Sequence, residues 1–153
     1  MANTRYLTSA VEDGVRHRLS EHYQTSFHRR TLRLQTGGEH EFGAVSDNGR
    51  IVASIKTASA GGRAPASKVV NCLAELYFLS LVRARRRLLV LTSPEFHQLF
   101  STLARGKVAP GIEIVHIPLP IEVQARVSAV QQASGDEVQP VLDAAELRTV
   151  GGD

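Results

Sequence analysis

Glu75 is the only charged side chain between Lys68 and Arg83, in a stretch otherwise dominated by valine, leucine and aromatic residues. A carboxylate carried into such surroundings is costly unless it is paired or binds a metal. The plainer alternative is that Lys68, Asn71 and Glu75, which fall on one helical stripe, form a solvent-facing edge. Upstream lies Ser54-Ile55-Lys56. Alternate residues of a strand share a face, so Ser54 and Lys56 point the same way; an ordinary strand-end lysine is the competing reading. Glu39, Glu41 and Asp47 surround the Asp47-Asn48-Gly49 turn, where solvated acids are common for local conformational reasons. His40, His97 and His116 have no metal-ligand spacing and read as structural. Cys72 sits in the apolar stretch, which suits a buried inert thiol better than a nucleophile. Gly61-Gly62 lacks the pattern of a phosphate-binding loop.

The elements that must position these residues follow from hydrophobic periodicity. Leu7, Val11, Val15, Leu19 and Tyr23 recur every four residues, which predicts a helix from about Thr8 to Tyr23 with Glu12 and Asp13 in its first turn. From Arg30 the period changes to two. Strands are expected at Thr31–Leu34, His40–Ser46 and Arg50–Thr57, joined by Gly37-Gly38 and by a hairpin turn at Asp47-Asn48-Gly49. Ala58–Ala66, rich in Gly, Ala and Ser, reads as a loop. A helix from Ser67 or Lys68 to about Ala84 is apolar nearly all round and should be buried on a sheet.

Leu88–Leu91 has the continuous apolar character of a central strand. Ser93-Pro94 opens a short helix to about Leu103, Ile112–Ile117 is a further strand, and Ile121–Ala133 a last helix. The order α-β-β-β-α-β-α-β predicts an α/β (α+β) three-layer domain with a mixed sheet between helices. One domain over residues 1–133 is expected, with 134–153 a C-terminal tail, docked or disordered.

Composition narrows the function classes. The chain has 153 residues, 42% hydrophobic and 22% charged, which suits a globular domain. A single cysteine excludes an intramolecular disulfide and suits the cytoplasm. The sequence opens without a basic-then-apolar leader. Its longest apolar run, Val69–Val82, is too short to cross a bilayer and contains Glu75, so no membrane partner is expected.

Net charge is +3, with basic clusters at Arg16-His17-Arg18, His28-Arg29-Arg30 and Arg83 to Arg87. Solubilising charge at helix ends is the ordinary reading of any one cluster. With 5% aromatic residues and no tryptophan, a base-stacking platform for single strands is disfavoured. Contact through phosphates fits better, with Arg16, Arg18, Arg29, Arg30, Arg63 and Lys68 the candidate contacts to double-stranded DNA.

The segment from Glu39 to Lys56, EHEFGAVSDNGRIVASIK, resembles the core of the PD-(D/E)XK restriction-endonuclease-like superfamily. In that core one strand presents an acid, a turn follows, and the next strand presents acid-x-lysine. The helix before the meander and the apolar helix after it also match, over roughly residues 7 to 117. What the resemblance implies is phosphodiester hydrolysis, with carboxylates holding Mg²⁺ and a lysine orienting water. Lys56 matches the motif lysine, Ser54 stands where the second acid is expected, and Gly43 stands where the first aspartate would be. Taken literally, the standard site is dead.

Ser-x-Lys followed by a helical glutamate resembles enzymes whose second acid has migrated, with Glu75 in that role and Glu41 or Asp47 a displaced first ligand. Three readings follow: a nuclease-fold DNA-binding protein with lost or weak phosphodiesterase activity; an active Mg²⁺-dependent endonuclease; or a nuclease-derived protein-interaction module, as a homodimer or a subunit of a larger complex.

Overall fold

The computed structural model describes residues 2–57, 63–120, 123, 125–126 and 141–143. Its first helix, α1 (Ala2–Tyr23), starts earlier than the sequence pattern predicts. Val11, Val15 and Leu19 are buried, as their four-residue spacing requires. Three strands follow: β1 (Phe27–Arg33), β2 (Glu39–Ser46) and β3 (Ile51–Lys56). The hairpin between β2 and β3 turns at Gly49, φ +71°. There Asn48 Oδ1 accepts from the Arg50 amide at 3.0 Å and from Ser46 Oγ at 2.9 Å. An asparagine carbonyl replacing a backbone acceptor is the reason Asp-Asn-Gly makes a turn.

Arg63–Pro65, expected to be loop, instead forms a short strand, β4. It leads directly into α2 (Ala66–Ser80), followed by β5 (Arg86–Leu91), α3 (Pro94–Leu103) and β6 (Ile112–His116). Ser93 caps α3, its Oγ accepting from the Phe96 amide at 3.2 Å, with Pro94 at the start of the helix. In the C-terminal region, β7 (Val141–Asp143) pairs antiparallel with β4. The expected helix at Ile121–Ala133 lies largely outside the described residues.

The fold is α+β, with a five-stranded mixed sheet in the order β1-β2-β3-β5-β6. β1, β2 and β3 form the antiparallel meander; β5 is parallel to β3 and β6 to β5. Helices cover both faces, because alternate strand residues serve opposite cores. Val52, Leu89 and Leu91 pack with Val69, Leu76 and Leu79 of α2 and Phe96 and Phe100 of α3. Ala53, Leu88 and Val90 pack with Val11, Val15 and Leu19 of α1.

Two features were not legible in the pattern. The β1–β2 register shifts between His28 and Arg30, so Gly43 and Ala44 together oppose one residue of β1. Such a bulge bends its strand and re-aims the side chains beyond it. The second is the outer side of α2, a helix expected to be apolar nearly all round and buried on a sheet. The helix buries Val69, Cys72, Leu76 and Leu79 but leaves Val70, Leu73 and Tyr77 exposed. A sheet covers one side of a helix, and among the described residues no element lies over the outer side of α2.

Candidate functional site

Glu75 of α2 meets the Ser54-x-Lys56 pair of β3. Ser54 and Lys56 project from the sheet face that α2 covers, and Glu75 lies at the margin of that helix's buried stripe. The Ser54 hydroxyl donates to Glu75 Oε2 at 2.8 Å, and Lys56 Nζ lies 3.6 Å from Oε1. His40 completes the cluster, its Nε2 lying 3.1 Å from Oε2. The Glu75 side chain is 14% exposed and that of Lys56 35%. This is a partly buried ion pair, and it answers why an acid is tolerated in an apolar helix.

His40, read from the sequence as structural, joins the Glu75 cluster, a placement that the pattern did not give. Beyond the bulge, His40 and Phe42 face α2. The His40 ring stacks on Phe78 at 3.9 Å between centroids, nearly parallel at 11°, and meets the edge of Phe42 at 4.9 Å. Phe78 and Glu75 are three residues apart on α2 and so share a face. The available signal was that His40 shares its strand face with Phe42, a large apolar residue bound for the core.

The other candidate ligands lie elsewhere. Glu41, adjacent to His40 on the strand, points to the opposite face, where its carboxylate lies 3.7 Å from Arg29. Asp47 lies 3.4 Å from His28 at the hairpin. A Cβ added at Gly43 would stand 3.3 Å from Ile55 Cδ1, a side chain of the α1-side core. Position 43 therefore does not look toward Glu75 either. Among the described residues no group of three or more His, Cys, Asp or Glu side chains is placed to hold a metal ion.

The donor set around Glu75 does not fit Mg²⁺. That ion requires several oxygen ligands in near-octahedral array. Here one carboxylate is already neutralised by Lys56 and accepts hydrogen bonds from Ser54 and His40. A divalent cation would enter a site whose formal charge is not negative. Ser54 is itself 2% exposed and donates its only hydroxyl proton to Glu75, so it is not a free nucleophile. Cys72, one turn before Glu75, is buried, and that burial pushes its thiol up to about 12 despite the opposing pull of Lys56 and Lys68. It is an inert thiol.

The candidate DNA contacts come from four elements, α1, β1, β4 and α2. Arg16 is held between α1 and the bulge, donating to Glu12, to Asp13 and to the Gly43 carbonyl at 2.8 Å. Arg29 pairs with the same Glu12, which raises its pKa above the ordinary arginine value through that hydrogen bond and the attendant charge attraction. Arg18 and Arg30 are exposed, Lys68 lies half-buried in the first turn of α2, and Arg63 sits on β4 opposite Asp143. Arg16 and Arg29 are thus engaged by acids of the fold. No family model, no curated protein and no solved structure matches this chain.

Proposed function

We propose that the chain is a nuclease-fold DNA-binding protein with lost or weak phosphodiesterase activity. The observation that carries this reading is the neutralised carboxylate. Glu75 arrives within 2.8 Å of Ser54, the strand position where the PD-(D/E)XK resemblance sets its second acid. It reaches the right place for a migrated acid, yet it is tied down by Lys56, His40 and Ser54 rather than left open for a cation. Such a cluster preserves the packing between β3 and α2 while giving up the metal ligands. Net charge of +3 and several unneutralised arginines support a phosphate-bearing partner, with double-stranded DNA in the cytoplasm the expected one.

One observation favours the alternative of an active Mg²⁺-dependent endonuclease: Glu75 and Lys56 do converge. That reading needs a first acid, and both Glu41 and Asp47 are engaged away from the cluster. The deciding experiment incubates supercoiled plasmid with Mg²⁺ or Mn²⁺ and the wild type, Lys56→Ala or Glu75→Ala, with an EDTA control, and measures duplex binding in parallel. Salt-sensitive binding without nicking is expected. Metal-dependent nicking lost in both variants would establish the endonuclease instead. Neither binding nor nicking would leave the interaction module, for which the exposed Val70, Leu73 and Tyr77 of α2 are the relevant surface.

A further inference from the structure

The arginines of this chain divide into those the fold uses and those it leaves to solvent. Arg16 and Arg29 are neutralised by acids of α1 and β2. Arg86 lies 3.6 Å from Glu113, and Arg87 donates to the carbonyls of Leu79 and Pro110. Arg33, Arg50, Arg83 and Arg85 are exposed, and among the described residues no carboxylate pairs with them. They come from three separate segments: the end of β1, the β2–β3 hairpin, and the turn between α2 and β5.

Backbone hydrogen bonds hold those segments together. The Gln35 amide donates to the Leu81 carbonyl at 2.8 Å, joining the end of β1 to the end of α2. The amides of Arg85 and Arg86 donate to the Arg50 carbonyl at 2.8 and 3.0 Å, joining the α2–β5 turn to the hairpin. Between them lies an open groove of about 310 Å³, lined by Arg33 and Arg83 over Leu34, Gly49 and Val82. Two acids lie nearby, and neither is ion-paired to these arginines. Glu39 is the cross-strand neighbour of Arg33 without forming an ion pair to it, and Asp47 pairs with His28.

We propose that Arg33, Arg50, Arg83 and Arg85 form the surface that grips the phosphate backbone of duplex DNA, drawn from the end of β1, the β2–β3 hairpin and the α2–β5 turn. This inference rests on the DNA-binding reading and gives it a location other than the Ser54–Lys56 site. Guanidinium groups match phosphate oxygens in paired hydrogen bonds. Their exposed position avoids the desolvation that unpaired buried charges would suffer, and the tied backbone presents them without a large ordering cost. Ser54 and Glu75 take no part in this contact.

The test is fluorescence anisotropy with a labelled duplex of about 20 base pairs, titrated with the full chain at several salt concentrations. Wild type is compared with Arg83→Ala/Arg85→Ala, Arg33→Ala/Arg50→Ala and, as the rival location, Arg18→Ala/Arg30→Ala. Circular dichroism and urea unfolding check that each variant folds. Each of the first two double variants is expected to weaken binding about tenfold and to reduce the slope of log affinity against log salt by about 2. Arg18→Ala/Arg30→Ala is expected to stay within about twofold. Binding that is unaffected by the first two variants, or weakened equally by all three, overturns this surface while leaving the DNA reading intact. No salt-sensitive binding by the wild type overturns the DNA reading and this surface together.

Discussion

At one end of β3, Lys56 meets a carboxylate inside the fold; at the other, Arg50 stands among arginines that no described carboxylate meets. The first end is a closed account of charge. Glu75, Lys56, Ser54 and His40 satisfy one another, and His40 is fixed by stacking on Phe78. The second end holds like charges close together on tied turns and leaves their compensation to solvent or a partner. Charge at the first end therefore stabilises the fold, whereas charge at the second is available for binding. A cluster that looks catalytic by residue type and a patch that looks merely solubilising exchange roles once partners are counted.

The largest expected effect tests the closed end. Glu75→Ala leaves Lys56 and His40 without their acceptor and should cost about 2–3 kcal/mol in urea unfolding, below the range for a fully buried pair because the cluster is partly exposed. Glu75→Gln retains an acceptor for Ser54 and His40 and should cost about 1 kcal/mol. If Glu75→Ala proves as mild as a surface substitution, the contrast between the two ends collapses.

Next in size is Gly43→Asp, which supplies the aspartate that a PD-(D/E)XK-like pattern would have at that position. The Cβ of the new side chain would stand 3.3 Å from Ile55 Cδ1, on the face away from Glu75. A loss of about 2 kcal/mol is expected, with no gain of Mg²⁺-dependent plasmid nicking. Nicking that appears in this variant would show that position 43 does serve the Glu75 cluster.

A smaller effect separates two kinds of arginine. Arg16→Ala removes the hydrogen bond to the Gly43 carbonyl and the pairing with Glu12 and Asp13. It should cost about 1 kcal/mol. Arg83→Ala should change stability by less than about 0.5 kcal/mol while reducing duplex affinity. Equal losses from the two would erase the distinction.

The smallest effect at neutral pH concerns Cys72. Its thiol is neutral in both folded and unfolded chains there. Its folded pKa is raised from 9.0 to about 12, so the unfolded chain releases its proton first as pH rises. The stabilisation is complete below about pH 9 and is lost between about 9 and 12. Stability measured across that window should fall less steeply for Cys72→Val, and a thiol reagent at pH 7 should label the native chain only as fast as it opens.

The sequence by itself determined the order of α1 to α3 and the five strands of the main sheet, because period-four apolar residues in α1 and apolar or period-two runs in β2, β3 and β5 are properties of local chain geometry. It also determined the hairpin, since Asn48 and Gly49 act through bonds and dihedral angles within a few residues. The conflict at Glu75 was legible too: a lone acid in an apolar helix must find partners, and Ser54 and Lys56 were correctly set on one strand face. Only the tertiary structure decided which acids joined it.

A bulge of one residue reverses the alternation along β2, so it turned His40 toward Glu75 and Glu41 away, and no one-dimensional pattern marks where a register slips. The pairing of β4 with β7 was hidden for a related reason, since three-residue strands carry no period and form only where two distant segments meet. The sorting of arginines into bound and free was decided by structure as well. Arg16 and Arg83 are the same residue type in similar basic clusters, and they differ only in which carboxylates and carbonyls the fold brings within reach.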